Sequence, residues 1–285
     1  MIDKKDIALV LSSGGARGLS HIGAIEELEA QGYHIRSVAG CSMGALIGGI
    51  YAAGQLKNFR EWMKSVDKWT LMNMIDISFS INHLIKGNKM METLKEIVPD
   101  VNIEDLPIPF CAVSTDWELG EEVVFREGSL LNAIRASISL PGFLNPIRPD
   151  GRILIDGGVT NPLPLNRVVR HEGDLLVGVD VSGHDYEGQR QAQLKIATRN
   201  RRSLNPLKRM APDSRTPNYV TLLTRASSLM IRQNSKLMIE LTNPDILVDI
   251  QMNSLSGMDY DKSERLIIIG RNRTRQTLEL YRRKQ

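Results

Sequence analysis

Two successive units of strand, glycine-rich loop and helix begin the chain and constrain the fold of everything that follows. A short apolar run from Ile7 to Leu11 ends at two serines and two glycines, and apolar residues at helical spacing follow from Ile22 to Leu28. The pattern repeats where Ser37 to Ala39 leads into Gly40 to Gly44 and then into the small and apolar residues of Ala45 to Ala53. Two such units predict a parallel sheet under helices, because strands joined through a helix pair in parallel.

The remainder of the chain predicts further strands and helices in alternation. The strands are predicted at Phe110 to Ser114, Val123 to Phe125, Ile153 to Ile155, Leu175 to Val179 and Ile246 to Val248. The helices are predicted at Asn58 to Asp67, Met90 to Ile97, Leu130 to Ser137, Tyr219 to Leu241 and Ser263 to Arg282. The turn from Trp117 to Gly120 is typical of a β-hairpin. Two irregular segments, Trp69 to Lys89 and Arg190 to Arg215, are interpreted as flexible insertions near a site.

Length and composition narrow the class of protein. A chain of 285 residues with 42% hydrophobic residues can bury a sizeable core, so we interpret residues 1–285 as one domain. Its core is expected at about 5–180, and 181–285 are expected to hold a basic loop and C-terminal helices that pack on that core. A formal net charge of +3 with mixed charges does not favour nucleic acid as a partner.

The cysteines and the first residues indicate the compartment. Cys41 and Cys111 lie in apolar surroundings without ligand-type spacing, which predicts neither a disulfide framework nor a zinc site. The residues before Ile7 carry acids, and the apolar run after them is too short for a signal peptide. The uncharged stretch from Ser37 to Gln55 contains five glycines, so we expect a buried helix after a tight turn rather than a membrane span. A cytoplasmic protein is therefore expected.

The turn Gly40-Cys41-Ser42-Met43-Gly44 has the Gly-x-Ser-x-Gly pattern between a strand and a helix. Glycines in such an elbow admit close packing and unusual dihedral angles, while the serine hydroxyl is held at the carboxyl end of the strand. The following helix points its positive end at the same place. Ser42 is therefore a candidate nucleophile, although small residues around a serine are also common in ordinary apolar turns.

A glycine loop from Ser13 to Gly18, with the sequence Ser-Gly-Gly-Ala-Arg-Gly, follows the first strand. Backbone without side chains can turn several N–H groups toward one point, and such a nest can hold the oxyanion of an acyl-transfer intermediate. A P-loop is excluded because no Gly-Lys-Ser/Thr follows, and a dinucleotide fingerprint fits poorly because Ser13 occupies its first glycine position. Arg17 either anchors the loop or attracts an anionic head group.

A base for the serine is expected at the end of another strand, where Asp156 precedes two glycines. An acid followed by glycines is also an ordinary turn composition, and the two upstream motifs are what favour a catalytic carboxylate here. The rival arrangement, a Ser-Asp-His triad, needs a histidine late in the chain. His171, at a polar helix end, and His184, in a turn, are most simply solvated surface residues, and His21 is better explained by packing or capping.

Three elements occur in this order: the glycine loop, the elbow around Ser42, and Asp156-Gly157-Gly158. Together they resemble the patatin-like phospholipase family. The resemblance extends to the residues from Gly18 to Gly23 and from Ala136 to Phe143, so it covers most of residues 5–180. Within that family the chain is similar to the compact bacterial members and to the esterase domain of the neuropathy target esterase group.

This resemblance implies a fold and residue roles. The fold is a three-layer α/β/α sandwich with a mostly parallel central sheet, and Ser42 is the nucleophile of a dyad in which Asp156 is the base. The N–H groups of Gly14, Gly15 and Ala16 are implied to form the oxyanion hole. Many relatives have glycine where this chain has a serine at position 13, and a small residue there still allows the loop to present its N–H groups.

The resemblance further implies a serine acyl hydrolase that cleaves carboxylic ester bonds of phospholipids, lysophospholipids or other lipid esters, without a metal or an organic cofactor. A non-catalytic or weakly catalytic lipid-binding or regulatory protein on the same fold is the alternative. The apolar segment from Trp69 to Ile85 either forms a wall for an acyl chain or a membrane-facing cap, or packs in the core. The basic stretch from Arg190 to Arg215 either contacts an anionic membrane at its inner face or is a solvated loop. The oligomeric state stays open.

Overall fold

The part of the chain that the structure describes forms a seven-stranded, mostly parallel sheet and a separate two-stranded hairpin. The computed structural model describes residues 5–66, 77–80, 83–85, 87–183, 219–251 and 260–285. The strands are β1 (Asp6–Leu11), β2 (His34–Cys41), β3 (Ile77–Ser80), β4 (His83–Ile85), β5 (Phe110–Asp116), β6 (Glu122–Phe125), β7 (Leu154–Asp156), β8 (Leu175–Asp180) and β9 (Ile246–Asp249).

The order of strands in the main sheet is β6-β5-β2-β1-β8-β9, and β7 pairs with β5. Parallel pairs join β1 to β2 and β8, β2 to β5, and β8 to β9. The predicted parallel sheet is therefore confirmed. The predicted hairpin is confirmed as well, because β5 and β6 pair antiparallel on either side of the turn from Trp117 to Gly120.

The described helices lie between these strands in the chain, except for α7, which follows β9. They are α1 (Ser20–Ala30), α2 (Met43–Ala52), α3 (Leu56–Ser65), α4 (Asn88–Ile97), α5 (Leu130–Ser137), α6 (Tyr219–Thr242) and α7 (Ser263–Arg282). The predicted bounds of α5 and α7 are confirmed, whereas α3 begins and ends two residues before its predicted bounds. The predicted helix end at His171 is wrong, because the chain there forms a turn in which the Asp174 carboxylate accepts the backbone N–H of His171.

Alternation of side chains along the strands gives the sheet two buried faces. Leu9 and Leu11 belong to a large cluster with residues from α1, α2, α3, α4, α5 and α7. Val10, between them, belongs to a smaller cluster on the opposite face, which Leu163 and Leu165 share with Met238 and Ile239 of α6. The sheet therefore lies between two layers, as an α/β/α sandwich requires.

The two irregular segments lie largely outside the described residues. All of the stretch from Arg190 to Arg215 does, so its predicted flexibility and membrane contact stay predictions. Within Trp69 to Lys89, the described part includes the antiparallel β3–β4 hairpin and the start of α4. No helix in the described part of the chain is long and apolar enough to cross a membrane.

Helices α1 and α7 pack together at two glycines. A Cβ placed on Gly270 of α7 would overlap the Ser20 carbonyl oxygen, and one placed on Gly23 of α1 would overlap that of Ile267. One helical turn or more beyond these contacts, the Arg275 guanidinium donates two hydrogen bonds to the Glu27 carboxylate, at 2.9 and 3.0 Å. The close approach explains how α7 covers the first helix.

We expect Gly270→Ala to destabilise the fold by about 1–3 kcal/mol, because the added methyl group has no room. Helix propensity alone would stabilise the same variant by about 1 kcal/mol, so the sign of the change separates the two effects. Urea unfolding measures it. The exposed Asn272→Ala on the same helix is the control, and a more stable Gly270→Ala protein would contradict the close packing.

Candidate active site

Two strands, β2 and β7, pair with the same edge of β5, one after the other along its length. β2 pairs with this edge up to Cys41, which lies opposite Val113, and the antiparallel β7 continues with Asp156 opposite Ser114. β6 covers residues 112–115 on the other edge, so β2 and β7 must share the first one. Ser42, the residue after β2, is therefore brought to the last residue of β7.

The elbow at Ser42 has a strained backbone. Ser42 has φ 54° and ψ −120°, in a region that non-glycine residues occupy at a cost of about 1–3 kcal/mol. The flanking glycines permit this turn, since a Cβ on Gly40 would overlap the Gly44 carbonyl oxygen and one on Gly44 would overlap that of Leu11. Ser42 remains partly exposed at the N-terminus of α2, while Cys41 beside it is buried.

The predicted nucleophile and base are in direct contact. Ser42 Oγ donates a hydrogen bond to Asp156 Oδ2 at 2.6 Å, and the Gly158 N–H donates to Asp156 Oδ1 at 2.7 Å. Burial raises the pKa of Asp156 to about 6, and the hydrogen bonds from Ser42 and Gly158 limit this rise because they favour the charged form. At pH 7 the carboxylate is therefore mostly ionised, yet it is a stronger base than an exposed aspartate.

The C-terminal end of α5 contacts both residues. The Ser42 backbone N–H donates to Ser137 Oγ at 2.8 Å, and the Asp156 backbone N–H donates to the Ser139 carbonyl oxygen at 2.9 Å. Arg135 Nη1 donates to Ser139 Oγ at 2.6 Å. The side chains of Arg135, Ser137 and Ser139 are buried. Sequence reasoning used this segment only as part of a family signature and missed its contacts.

The glycine loop lies at the same edge of the sheet as Ser42. A Cβ on Gly14 would overlap Val181 after β8, and one on Gly18 would overlap the Met43 side chain after the elbow. Gly15 has φ 57° and begins a 3₁₀ turn that ends at Leu19. The N–H groups at the start of this turn have no acceptor within it.

Two other members of the loop have structural contacts. Arg17 Nε donates to the Gly14 carbonyl oxygen at 3.3 Å, which agrees with the anchoring role. Ser13 is buried, its backbone N–H donates to the Pro162 carbonyl oxygen at 2.8 Å, and its side chain lies beside Gly158. The loop is therefore packed against the segment that follows Asp156.

The described histidine side chains form their hydrogen bonds with residues other than Ser42 and Asp156. His21 is fully buried, and its Nε2–H donates to the Ser12 carbonyl oxygen at 2.9 Å, so the packing interpretation is confirmed. Burial lowers the pKa of His21 to about 4. His171 contacts Asp174 with its ring, and His184 lies outside the described residues.

Tyr260 is a neighbour of the site that sequence reasoning missed. It begins a 3₁₀ turn, Tyr260–Lys262, that contacts the turn Gly15–Leu19 of the glycine loop. Burial, with the nearby Asp156 charge as the smaller cause, raises the pKa of Tyr260 to about 12, so its phenol stays neutral at pH 7. The turn Tyr260–Lys262 thus lies beside the glycine loop, at the same edge of the sheet as Ser42.

The sequence model of the patatin-like phospholipase family matches residues 9–169, which contain the glycine loop, the elbow and Asp156. The chain belongs to the patatin-like phospholipase family. An uncharacterised NTE family protein of Mycobacterium bovis is 43% identical to this family member over 190 residues, which are 67% of this chain and 53% of the relative.

Two animal relatives of this patatin-like protein are larger. The neuropathy target esterase sws of Drosophila melanogaster is 33% identical over 186 residues, which cover 63% of this chain and 13% of the relative. Patatin-like phospholipase domain-containing protein 6 of Mus musculus is 36% identical over 186 residues, which cover 63% of this chain and 14% of the relative. The chain thus spans about half the length of the mycobacterial relative and a smaller share of the animal ones.

A solved structure has a similar fold. The crystal structure of VipD from Legionella pneumophila matches this patatin-like chain with a TM-score of 0.51 and 14% sequence identity. The match covers 98% of this chain and 67% of that chain. At this identity the likeness concerns the fold alone, which is the predicted sandwich with a mostly parallel sheet.

Replacing the buried carboxylate should stabilise the protein at neutral pH. The pKa of Asp156 is about 6 in the folded protein, against about 3.9 when unfolded, so folding loses stability as the pH rises from 4 to 6. Asp156→Asn should therefore be more stable than the wild type by about 2–3 kcal/mol at pH 7, and the gain should vanish near pH 4. Urea unfolding at both pH values measures it, with the exposed Glu172→Gln as control. Equal stability at pH 7 would contradict the buried charge.

His21 should change the pH dependence of stability in the opposite direction over the same pH range. Its pKa of about 4 in the folded protein lies below the unfolded value of about 6.5, so stability is full above pH 6.5 and is lost by about 3 kcal/mol as the pH falls to 4. Because the effects of Asp156 and His21 oppose each other in the wild type, each variant's free energy of unfolding must be compared with that of the wild type at the same pH. His21→Gln should gain stability relative to the wild type between pH 7.5 and pH 4.5 in urea unfolding. A constant difference between the two proteins would show that His21 titrates normally.

Proposed function

We propose that this protein is a serine acyl hydrolase that cleaves carboxylic ester bonds of lipids, with Ser42 as the nucleophile and Asp156 as its base. The observation that carries the proposal is the 2.6 Å hydrogen bond from Ser42 Oγ to Asp156 Oδ2. Membership of the patatin-like phospholipase family supports ester hydrolysis of lipids in general. The names of the two animal relatives, an esterase and a phospholipase domain-containing protein, support the same reaction class.

The proposed cycle has two half-reactions. Ser42 Oγ attacks the ester carbonyl carbon while its proton moves to Asp156 Oδ2, and the tetrahedral intermediate then expels the alcohol, which takes up that proton. Water attacks the resulting acyl-enzyme, gives a proton to Asp156 and releases the acid, after which the proton returns to Ser42. Each proton has a destination within the pair, so the cycle is complete without a further group.

The environment of Asp156 favours this role. An aspartate with a pKa of about 3.9 is a poor acceptor for a serine proton, whereas burial raises the pKa of Asp156 to about 6. The Gly158 N–H at 2.7 Å fixes Oδ1, which leaves Oδ2 for Ser42. Burial therefore raises the basicity of the carboxylate, and the hydrogen bond from Gly158 orients it.

The oxyanion of the intermediate is proposed to bind the N–H groups of Gly14, Gly15 and Ala16. Packing of Gly18 against Met43 places their loop beside the elbow, and Ala16 and Arg17 follow Gly15 in the first turn of the 3₁₀ segment. The N-terminus of α2 adds a positive field at the same edge. Arg17 acts here as an anchor of the loop rather than as a ligand for a head group.

The whole chain, residues 1–285, is proposed to act as one patatin-like domain with a lipid ester as its substrate. The packing of α7 on α1 supports a contribution of the C-terminal part to the core. Cys41 and Cys111 are both free and buried, which agrees with the cytoplasm as its location. Contact of the stretch from Arg190 to Arg215 with an anionic membrane remains part of this proposal.

Hydrolysis of a short p-nitrophenyl ester and of a lysophospholipid tests the proposed dyad. Ser42→Ala and Asp156→Asn should each lower kcat/KM by about 10³-fold or more while the fold persists, because each variant removes one member of a unit. In the wild type, kcat/KM should rise with pH up to an apparent pKa of about 6 and then level, since the ionised carboxylate is the active form.

His171→Gln is the matched control and should keep full activity, because His171 contacts Asp174 and not the site. Full activity of Asp156→Asn would refute the dyad. A wild-type protein that binds lysophospholipid without hydrolysing it would favour the lipid-binding alternative.

A further inference from the structure

The backbone N–H of the proposed nucleophile is already occupied. It donates to Ser137 Oγ at 2.8 Å, and the single hydroxyl hydrogen of Ser137 points away from it to the Val113 carbonyl oxygen, at 2.5 Å. Ser137 is fully buried at the end of α5. Its hydroxyl can therefore only accept from Ser42, and the direction of both hydrogen bonds is fixed.

We propose that Ser137 is a positioning residue, which holds the Ser42 backbone in the strained elbow and keeps the Ser42 amide out of the oxyanion hole. This inference rests on the proposed function, because it assigns a task only if Ser42 is the nucleophile. The oxyanion is then left to the N–H groups of the glycine loop. Ser137 itself touches neither the substrate nor the reacting atoms.

The strain at Ser42 explains why such a contact is needed. A backbone at φ 54° persists only where its surroundings over-determine it, and the Ser137 hydroxyl is one of those determinants. Val113 lies on β5 opposite Cys41, so the hydrogen bond from Ser137 to its carbonyl ties α5 to the strand pair that delivers Ser42. The elbow is therefore fixed both by the pairing of β2 with β5 and by the hydrogen bond from Ser42 to the end of α5.

The same helix end also fixes the proposed base. The Ser139 carbonyl oxygen, two residues after Ser137, accepts the Asp156 N–H at 2.9 Å. The Arg135 guanidinium stiffens this segment, because it donates to Ser139 Oγ at 2.6 Å and to the Asn145 carbonyl oxygen at 2.7 Å. Ser42 and Asp156 thus have their backbone positions set by one short, buried segment, which defines the distance between their side chains.

Kinetics of Ser137 variants test the inference in the full chain. Ser137→Ala should lower kcat for a p-nitrophenyl ester by about 10²-fold with KM changed less than about twofold, because a small displacement of a nucleophile has an effect of this size. Ser137→Thr keeps the hydroxyl and should restore most of the lost activity. The matched control is Ser37→Ala in the middle of β2, where a buried serine also donates to a carbonyl oxygen, that of Val169. It should keep wild-type kcat.

A readout that does not depend on catalysis separates this inference from the proposed function. Hydrogen exchange of the Ser42 amide, followed by NMR, should be slow in the wild type and in Ser37→Ala, and at least about tenfold faster in Ser137→Ala. A rapidly exchanging Ser42 amide in the wild type, or one unchanged in Ser137→Ala, would overturn the inference. Slow wild-type exchange without any Ser42-dependent hydrolysis would overturn the proposed function and leave the hydrogen bond established.

Discussion

Strand β5 carries β2 and β7 one after the other on a single edge, and the arrangement of the site depends on this pairing. Cys41 opposite Val113 and Asp156 opposite Ser114 occupy consecutive positions, so the end of one strand faces the end of the other. The backbone hydrogen bonds of a sheet define positions to within a fraction of an ångström, which suits a proton transfer between two side chains. A shift of β7 by one residue would turn Asp156 to the opposite face.

Two features of the site are energetically unfavourable, and the surrounding contacts must offset their cost in free energy. One is the backbone of Ser42, and the other is the buried carboxylate of Asp156. Compensation comes from contacts that also give the site its geometry: the glycines of the elbow, the N–H of Gly158 and the end of α5. Stability and the proposed reactivity therefore compete at the same residues, as is common for active sites.

Local signals in the sequence predicted much of this arrangement. The apolar run before Gly14, the Gly-x-Ser-x-Gly turn and the acid before two glycines each occur within a few residues, so the units β1–α1 and β2–α2 and the candidates Ser42 and Asp156 could be found. Asp156 was a candidate base for Ser42 because it ends a predicted strand, and the family resemblance implied the two as a dyad. The physical cause of their proximity, the pairing of the three-residue β7 with β5, joins segments about 40 residues apart and leaves no periodic pattern.

Two of the features that were missed, Ser137 and Tyr260, share this long-range character. Ser137 is an ordinary residue in a short helix, and only the arrival of Ser42, 95 residues earlier in the chain, gives its hydroxyl a task. Tyr260 follows the last strand and reaches the glycine loop through the fold. In the segment from Trp69 to Lys89 the alternation of apolar and polar residues at Ile77–Ser80 was a local strand signal, but the many apolar neighbours obscured it.

Ser42 is proposed as a nucleophile that Asp156 activates, and covalent labelling with a fluorophosphonate probe tests this role most directly. After digestion, mass spectrometry should find the probe on the peptide that contains Ser42 in the wild type. The rate of labelling should fall by about 10²-fold or more in Asp156→Asn, because the general base is lost. Labelling at another serine, or an unchanged rate in Asp156→Asn, would contradict the account.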